Sequence, residues 1–166
     1  MHIVVYKCLE WCELRYVELF CVMVKWDLKY SEITSRIINA AMRVHNTLKN
    51  RHKEVIYQRA LVVEFESEKI NYKRELNIPI YYKNTHIGSQ RLDFLINDLV
   101  CLEIKALPEL EDVHYAQIFA YLESNNFEIG LLINFGETSL NVKRLTNKKH
   151  NPNLPILISC STEIKD

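Results

Sequence analysis

Two carboxylates and an amine, Asp93, Glu103 and Lys105, lie on two predicted strands that are joined at Asn97-Asp98. Asn and Asp tolerate the left-handed backbone of tight hairpins, so a turn is expected there. Because the side chains of a strand alternate between faces, Glu103 and Lys105 share one face. If the loop spans 97–99, Asp93 lies directly opposite Glu103 on that face. A loop of Asn97-Asp98 alone makes the pairing diagonal.

This pattern has two interpretations. The first is an ordinary surface strand, in which Leu102 and Ile104 point inward and Glu103 and Lys105 point to solvent. The second is a divalent-metal site, because two adjacent carboxylates repel each other unless a cation lies between them. Oxygen ligands at this density suit Mg²⁺ or Mn²⁺. A neighbouring lysine can orient a water or offset charge that develops on a phosphate.

The composition is that of an ordinary globular protein. The chain has 166 residues, 48% hydrophobic and 25% charged, which indicates one domain with a substantial core. Its formal net charge is zero. Nucleic-acid binding would therefore have to depend on a local basic patch.

The cysteines favour a reduced, cytoplasmic protein. They are five in number and irregularly spaced, which does not fit a disulfide framework or a zinc site, and they stand at positions 8, 12, 21, 101 and 160.

Residues 1–22 are predicted to form an N-terminal extension to a single domain at 23–166. The segment is apolar and aromatic but carries Lys7, Glu10 and other charges, so it does not fit a membrane span. Its apolar spacing fits an amphipathic helix. If this apolar segment packs against a second copy of the chain, the protein is a homodimer.

The remaining elements alternate between helices and strands. Helices are predicted from Ser31, as the N-cap, to about Leu48, from about Lys53 to Glu68, and from about Asp112 to Ser124. Strands are predicted at 71–75, 78–82, 86–96, 100–105, 129–135 and 140–145, with a last short one at 155–160. Pro79 cannot donate to a ladder, so its strand is expected either to lie at an edge or to start late. The fold class is α/β, with helices on both sides of a mixed central sheet.

Further candidate residues surround this core. Glu54 opens the second helix, where it either interacts with the helix dipole or supplies a third acid to the metal patch. Gln117 and Tyr121 are four residues apart and share one helix face. The densest basic cluster is in the tail, at Lys143, Arg144, Lys148, Lys149 and His150.

The order of these motifs resembles the PD-(D/E)xK nuclease superfamily. Residues 26–145 resemble, more closely, its GxxExxR family of small predicted nucleases. The pieces that match are Ala40-Ala41-Met42-Arg43-Val44-His45, Glu54-x-x-Tyr57-x-x-Ala60-Leu61, Arg91-Leu92-Asp93-Phe94, Leu102-Glu103-Ile104-Lys105-Ala106, Gln117-x-x-x-Tyr121-Leu122 and Gly130 to Gly136. The sequence departs from the pattern at Arg51, where the family has a glycine. Arg adopts a positive φ less easily than Gly, so this departure makes the approach of Glu54 to the site the least secure part of the comparison.

The resemblance implies a metal-dependent nuclease that acts on nucleic acid, with DNA the expected substrate. Asp93 and Glu103 are predicted to bind Mg²⁺ or Mn²⁺, with the Ile104 carbonyl as a third protein ligand and Glu54 reaching the metal directly or through water. Lys105 would orient the attacking water or neutralise charge. Gln117 and Tyr121 would position the phosphate backbone or Lys105. The expected phosphate contacts are Arg91, Lys143, Arg144, Lys148 and Lys149.

A non-catalytic nucleic-acid-binding or protein-binding module on the same fold is the alternative. The zero net charge and the replaced glycine favour that alternative, whereas the complete set of Asp93, Glu103, Lys105, Gln117 and Tyr121 favours the enzyme.

Overall fold

The computed structural model describes residues 4–6, 29–83 and 85–156. Its elements are, in chain order, β1 (Val4–Tyr6), α1 (Ser31–Leu48), α2 (Glu54–Ser67), β2 (Tyr72–Tyr82), β3 (Thr85–Ile96), β4 (Val100–Lys105), α3 (Asp112–Ser124), β5 (Ile129–Asn134) and β6 (Asn141–Thr146). No helix among these residues is long and apolar enough to cross a membrane.

The strands form one mixed sheet in the order β1-β6-β5-β4-β3-β2. Neighbours are antiparallel except β4 and β5, which are parallel and are connected through α3. Apolar side chains of α1 and α2 pack on one face of the sheet, and those of α3 pack on the other. Every residue of β5 is buried, as expected for a strand covered on both sides. The predicted fold class is confirmed.

Most element bounds agree with the sequence patterns, with three corrections. Ser31 does not cap α1, because Tyr30 occupies the N-cap position with φ 61° and makes no side-chain cap. Strand β2 is continuous where two pieces were expected, and Pro79 lies in it at the sheet edge, as predicted. Within 1–22, Val4–Tyr6 pairs with β6 as a strand, so the predicted helix does not cover it. β-branched Val4 and Val5 favour that extended backbone.

The rest of that N-terminal segment, and the last strand predicted at 155–160 beyond Ile156, lie outside the described residues.

A left-handed residue in the β2–β3 hairpin changes which face of the hairpin is buried next to the site. Glu75 has a left-handed φ of 53°, and the strand pairing runs from Arg74↔Phe94 to Leu76↔Leu92 around it. By this register, Glu75 lies across from Asp93. Phe94 belongs to the core under α1 and α2, whereas Leu92 belongs to the core under α3. The inward face of the hairpin therefore changes at Asp93.

Candidate active site

The turn at residues 97–99 brings Asp93 and Glu103 across from each other. Asn97 and Asp98 both have left-handed φ, 52° and 57°, and Leu99 N donates to Ile96 O at 3.0 Å. The pairing of β3 with β4 ends at Phe94↔Leu102, and the next pair in that register is Asp93 with Glu103. The first of the two predicted registers is therefore correct.

Asp93 is held by two donors. Its Oδ2 accepts the Ile104 N–H at 2.8 Å, and its Oδ1 accepts Gln58 Nε2 at 2.9 Å. The carboxylate therefore takes a backbone donor of β4 at the point where the two strands stop pairing. Asp93 and Gln58 are both buried.

The sequence analysis missed Gln58. The available signal was a polar residue between the buried positions Tyr57 and Leu61, on the same helix face as Glu54 at i+4 spacing.

Glu103 is held on one side only. Its Oε1 accepts Lys105 Nζ at 2.7 Å and Gln117 Nε2 at 2.6 Å. Its Oε2 is buried and has no hydrogen-bond partner among the described residues. Since a buried carboxylate oxygen without a partner costs free energy, this atom identifies a place for a cation or a water.

Helix α3 brings Gln117 to Glu103. A Cβ at Gly130 would lie 2.9 Å from Cδ1 of Ile118, so the absence of a side chain on β5 lets α3 pack closely against the sheet. Gln117 Nε2 also donates to the Tyr121 hydroxyl at 3.0 Å, and that hydroxyl donates to Arg91 O at 2.7 Å. Tyr121 therefore acts on the carboxylates through Gln117.

Burial raises the pKa of the carboxyl groups of this site. Burial, and next the charge of Asp93, raise the pKa of Glu103 to about 7. Burial also raises the pKa of Asp93, against the opposing effects of the Ile104 hydrogen bond and of Lys105. Burial lowers the pKa of Lys105, but its bond to Glu103 and the surrounding carboxylates raise that pKa by more, so the amine stays protonated.

Glu54 is the third acid of this cluster. It is the first residue of α2 and half-buried, and burial raises the pKa of its carboxyl, while Lys105 lowers it and Asp93 raises it. Those two neighbours show that Glu54 faces the site.

The replaced glycine does not obstruct this approach of Glu54, because Arg51 has no positive φ. The unusual backbone of the turn is at Lys49, with φ 55° and ψ −163°, where the Tyr57 hydroxyl donates to Lys49 O at 2.5 Å.

The structure disperses the basic cluster of the tail. Arg144 is buried and donates to Thr34 Oγ1 at 2.9 Å and to Lys29 O, so its prediction as a phosphate contact is wrong. Alternation on β6 turns Arg144 to the α1 side, whereas Lys143 pairs with Leu132, which pairs with Glu103, and so shares the face of Glu103.

Lys148 and Lys149 follow Thr146, which pairs with Ile129 at the end of the sheet where β4 begins. Lys105 lies at the other end of β4, and Lys149 forms an ion pair with Glu123 at 3.0 Å. Strand β6 carries the chain away from the carboxylates, so these two lysines do not border the site, and their contact with phosphate stays a prediction. Arg91 is exposed and adjacent to the site.

The donor set suits a hard divalent cation. No three His, Cys, Asp or Glu side chains among the described residues are grouped as a complete metal cage. Mg²⁺ does not require one, because it keeps several waters and takes one or two carboxylates. Glu103, through its unpartnered Oε2, and Asp93 would hold such an ion, and Glu54 faces the same site. The residues present therefore fit the metal.

Comparison with known proteins agrees with this geometry. A family model described as the PD-(D/E)XK nuclease superfamily matches residues 31–145, well over half of the chain. No curated protein matches the chain, and no solved structure does. The match spans α1 to β6 and includes each residue of the carboxylate cluster. The chain therefore belongs to the PD-(D/E)XK nuclease superfamily.

Proposed function

We propose that this protein is a metal-dependent nuclease of the GxxExxR type, which hydrolyses phosphodiester bonds of nucleic acid, with DNA as the expected substrate. The observation that carries the proposal is that only one carboxylate oxygen of Glu103 is hydrogen-bonded among the described residues. One of its oxygens is held by Lys105 and Gln117, and the other is buried without a partner in the described part of the chain. A surface strand with exposed charges would leave both oxygens in water.

Glu103 and Asp93 would hold Mg²⁺ or Mn²⁺, with the Ile104 carbonyl as a further candidate ligand. When bound, such an ion polarises the scissile phosphate and lowers the pKa of a coordinated water. The carboxylates around Lys105 raise its pKa. A protonated Lys105 would orient the attacking water or offset the charge that develops on the phosphate.

Gln58 and Gln117 would orient the two carboxylates. Each donates to one of the two carboxylates, at 2.9 and 2.6 Å respectively, and so fixes where the carboxylate oxygens point. Hydrogen-bond partners of metal ligands commonly have this role. Arg91 and Lys143 are the residues best placed to contact the phosphate backbone, and such contacts carry no sequence information.

The test is cleavage of plasmid, linear duplex, single-stranded DNA and RNA by the full chain, with Mg²⁺, with Mn²⁺ or with EDTA. We expect cleavage that needs the metal and that is abolished in Asp93→Ala and in Lys105→Ala. Lys73→Ala is the matched control, because that lysine is an exposed residue of β2 that pairs with Asp98 in the turn between β3 and β4. Circular dichroism checks that each variant is folded. Cleavage at the wild-type rate by both site variants would show that the assignment is wrong.

A non-catalytic scaffold is the second candidate, and one observation favours it. Both oxygens of Asp93 already accept hydrogen bonds, so one side of the site is satisfied without a metal. A calorimetric titration with Mn²⁺ discriminates between the two functions. Binding that is lost in Glu103→Gln supports the enzyme, and no binding by the wild type at millimolar metal supports the scaffold.

A further inference from the structure

The part of the β2–β3 hairpin beyond the carboxylates, Leu76–Arg91, forms a two-stranded arm. The described residues of β3 that pair with β4 are 94–96, so the arm extends beyond that pairing at the sheet edge. Its large side chains Tyr81, Tyr82 and Ile87 are 62%, 61% and 62% exposed. Large exposed side chains are therefore concentrated on this arm, on both of its faces.

The arm is also free of acidic residues. The chain contains 21 Asp and Glu and is neutral overall, yet the sequence from 76 to 91 has none and includes Lys83, His86 and Arg91. Its charge is therefore complementary to a polyanion.

One face of the arm leads from its tip to the site. The cross-strand pairs Asn77↔Arg91 and Pro79↔Ser89 alternate with Ile78↔Gln90 and Ile80↔Gly88. The register then shifts by one residue at a bulge, with Ile87 as the extra residue of β3, and Tyr81 pairs with His86. Because the extra residue is on β3, alternation along β2 keeps Tyr81 on the side of Asn77 and Pro79. Ile78 is buried under α3, so the other set faces away from α3. We call that set the track: Asn77, Pro79, Tyr81, His86, Ser89 and Arg91.

The two ends of the track differ in chemistry. At the tip, the rings of Tyr81 and His86 pack edge to face with centroids 5.6 Å apart. At the base, Arg91 is close enough to Glu54 and Asp93 for its charge to lower the pKa of both carboxyls. A cation next to the carboxylates and an exposed aromatic ring farther out match the two requirements of binding a nucleic-acid strand, which are phosphate neutralisation and base stacking.

We infer that the track binds unpaired nucleotides of the substrate, with a base stacked on Tyr81 and the backbone guided past Arg91 to the carboxylates. This inference rests on the proposed nuclease function. From His86 to Asp93 the strand spans about 23 Å at 3.3 Å per residue. A substrate strand must therefore continue for several nucleotides beyond the carboxylates to reach the tip.

The arm supplies its own control. Tyr82 is next to Tyr81, has the same exposure and pairs with Thr85, but alternation puts it on the opposite face. Binding of a fluorescein-labelled oligothymidine, followed by anisotropy in EDTA, compares Tyr81→Ala with Tyr82→Ala in the full chain. We expect Tyr81→Ala to weaken binding at least about fivefold, because stacking on one aromatic side chain contributes that much or more. Tyr82→Ala should leave binding unchanged, and Tyr81→Phe should restore it.

A second measurement separates this inference from the nuclease assignment. If Tyr81→Ala and Tyr82→Ala bind the oligonucleotide equally well while the protein still cleaves, the track is wrong and the nuclease stands. If Tyr81→Ala impairs binding but wild type never cleaves, the track stands on a non-catalytic binder. If instead Tyr81→Ala changes the sedimentation coefficient and leaves oligonucleotide binding intact, the track contacts a second copy of the chain and the inference is overturned.

Discussion

Asp93 and Glu103 are both carboxylates of the same site, but their oxygens differ in the hydrogen bonds that they accept. Asp93 has a donor on each oxygen, one from the backbone of β4 and one from α2. Glu103 has two donors on one oxygen and none on the other within the described structure. The difference indicates that Asp93 is held within the described structure, whereas one oxygen of Glu103 is left for a partner outside it.

The largest expected effect is on metal binding. Glu103→Gln removes the charge and the only unpartnered carboxylate oxygen of the pair, so calorimetry with Mn²⁺ should show affinity reduced at least about a hundredfold. Asp93→Asn should weaken binding less, because the new amide oxygen can still accept the Ile104 N–H. Asp98→Asn, in the exposed turn of the same hairpin, should bind as wild type does. Equal losses in the two site variants would contradict the division of roles.

The second effect concerns the two glutamines. Gln58→Leu removes the one side-chain donor that Asp93 has among the described residues, and Gln117→Leu leaves Glu103 with Lys105. Partners of metal ligands commonly contribute about 10- to 100-fold in affinity or activity, so Gln58→Leu should fall in that range and Gln117→Leu below it. Metal affinity and kcat, measured together on folded variants, test this order. A larger loss in Gln117→Leu would mean that Lys105 does not fix Glu103.

A smaller effect is expected at Tyr121, which reaches Glu103 through Gln117. Tyr121→Phe removes one hydrogen bond to Arg91 O and one acceptor for Gln117, and should lower the unfolding free energy by about 1 kcal/mol. Activity should fall severalfold at most. Urea denaturation and steady-state kinetics measure the two quantities. Tyr72→Phe, which loses a surface bond to Glu66, is the control and should change neither by a comparable amount.

The last effect concerns thermal stability in the absence of metal. Burial raises the pKa of Glu103 from 4.5 to about 7, so the folded state binds this proton more tightly than the unfolded state does. The resulting stabilisation is complete below pH about 4.5 and is lost as the pH rises through about 7. Asp93 and Glu54 shift in the same direction, while Lys105 stays charged over this range.

Melting temperatures of the metal-free protein should therefore fall by a few degrees between pH 5 and pH 8, and Glu103→Gln should flatten that dependence. Added Mg²⁺ should offset the fall above pH 7, since it binds the deprotonated carboxylate. An unchanged slope in Glu103→Gln would assign the dependence to other groups.

Most elements of the fold could be predicted from local sequence patterns. The apolar spacing of α1 and α3 and the uninterrupted run of β5 depend on neighbours within a few turns or residues, so they could be read directly. Asn97-Asp98 identified the turn, but two registers stayed open because either loop length satisfies the local backbone. The left-handed backbone at Glu75 could not be predicted from the sequence, because a glutamate does not favour a positive φ within a strand.

The site was predictable where its residues lie within one element or one hairpin, and unpredictable where packing selects among similar side chains. Glu103 and Lys105 share a strand face by alternation, and Gln117 and Tyr121 share a helix face. The basic residues at 143–150 are close in sequence but do not form one patch, because alternation along β6 separates Lys143 from buried Arg144, and the chain then leaves the site. Gln58 could not be told from any other helical glutamine until α2 was packed against Asp93.

The amino-acid order by itself determined the pairing of Asp93 with Glu103 to within one register, the lysine beside them, and the helices that enclose the sheet. These features follow from alternation and periodicity, which operate over short distances along the chain. Only the tertiary structure decided that Gln58 holds Asp93, that one oxygen of Glu103 is buried without a partner among the described residues, and that Arg144 is enclosed. Those outcomes depend on which faces meet across the sheet, and such contacts join residues far apart in the chain.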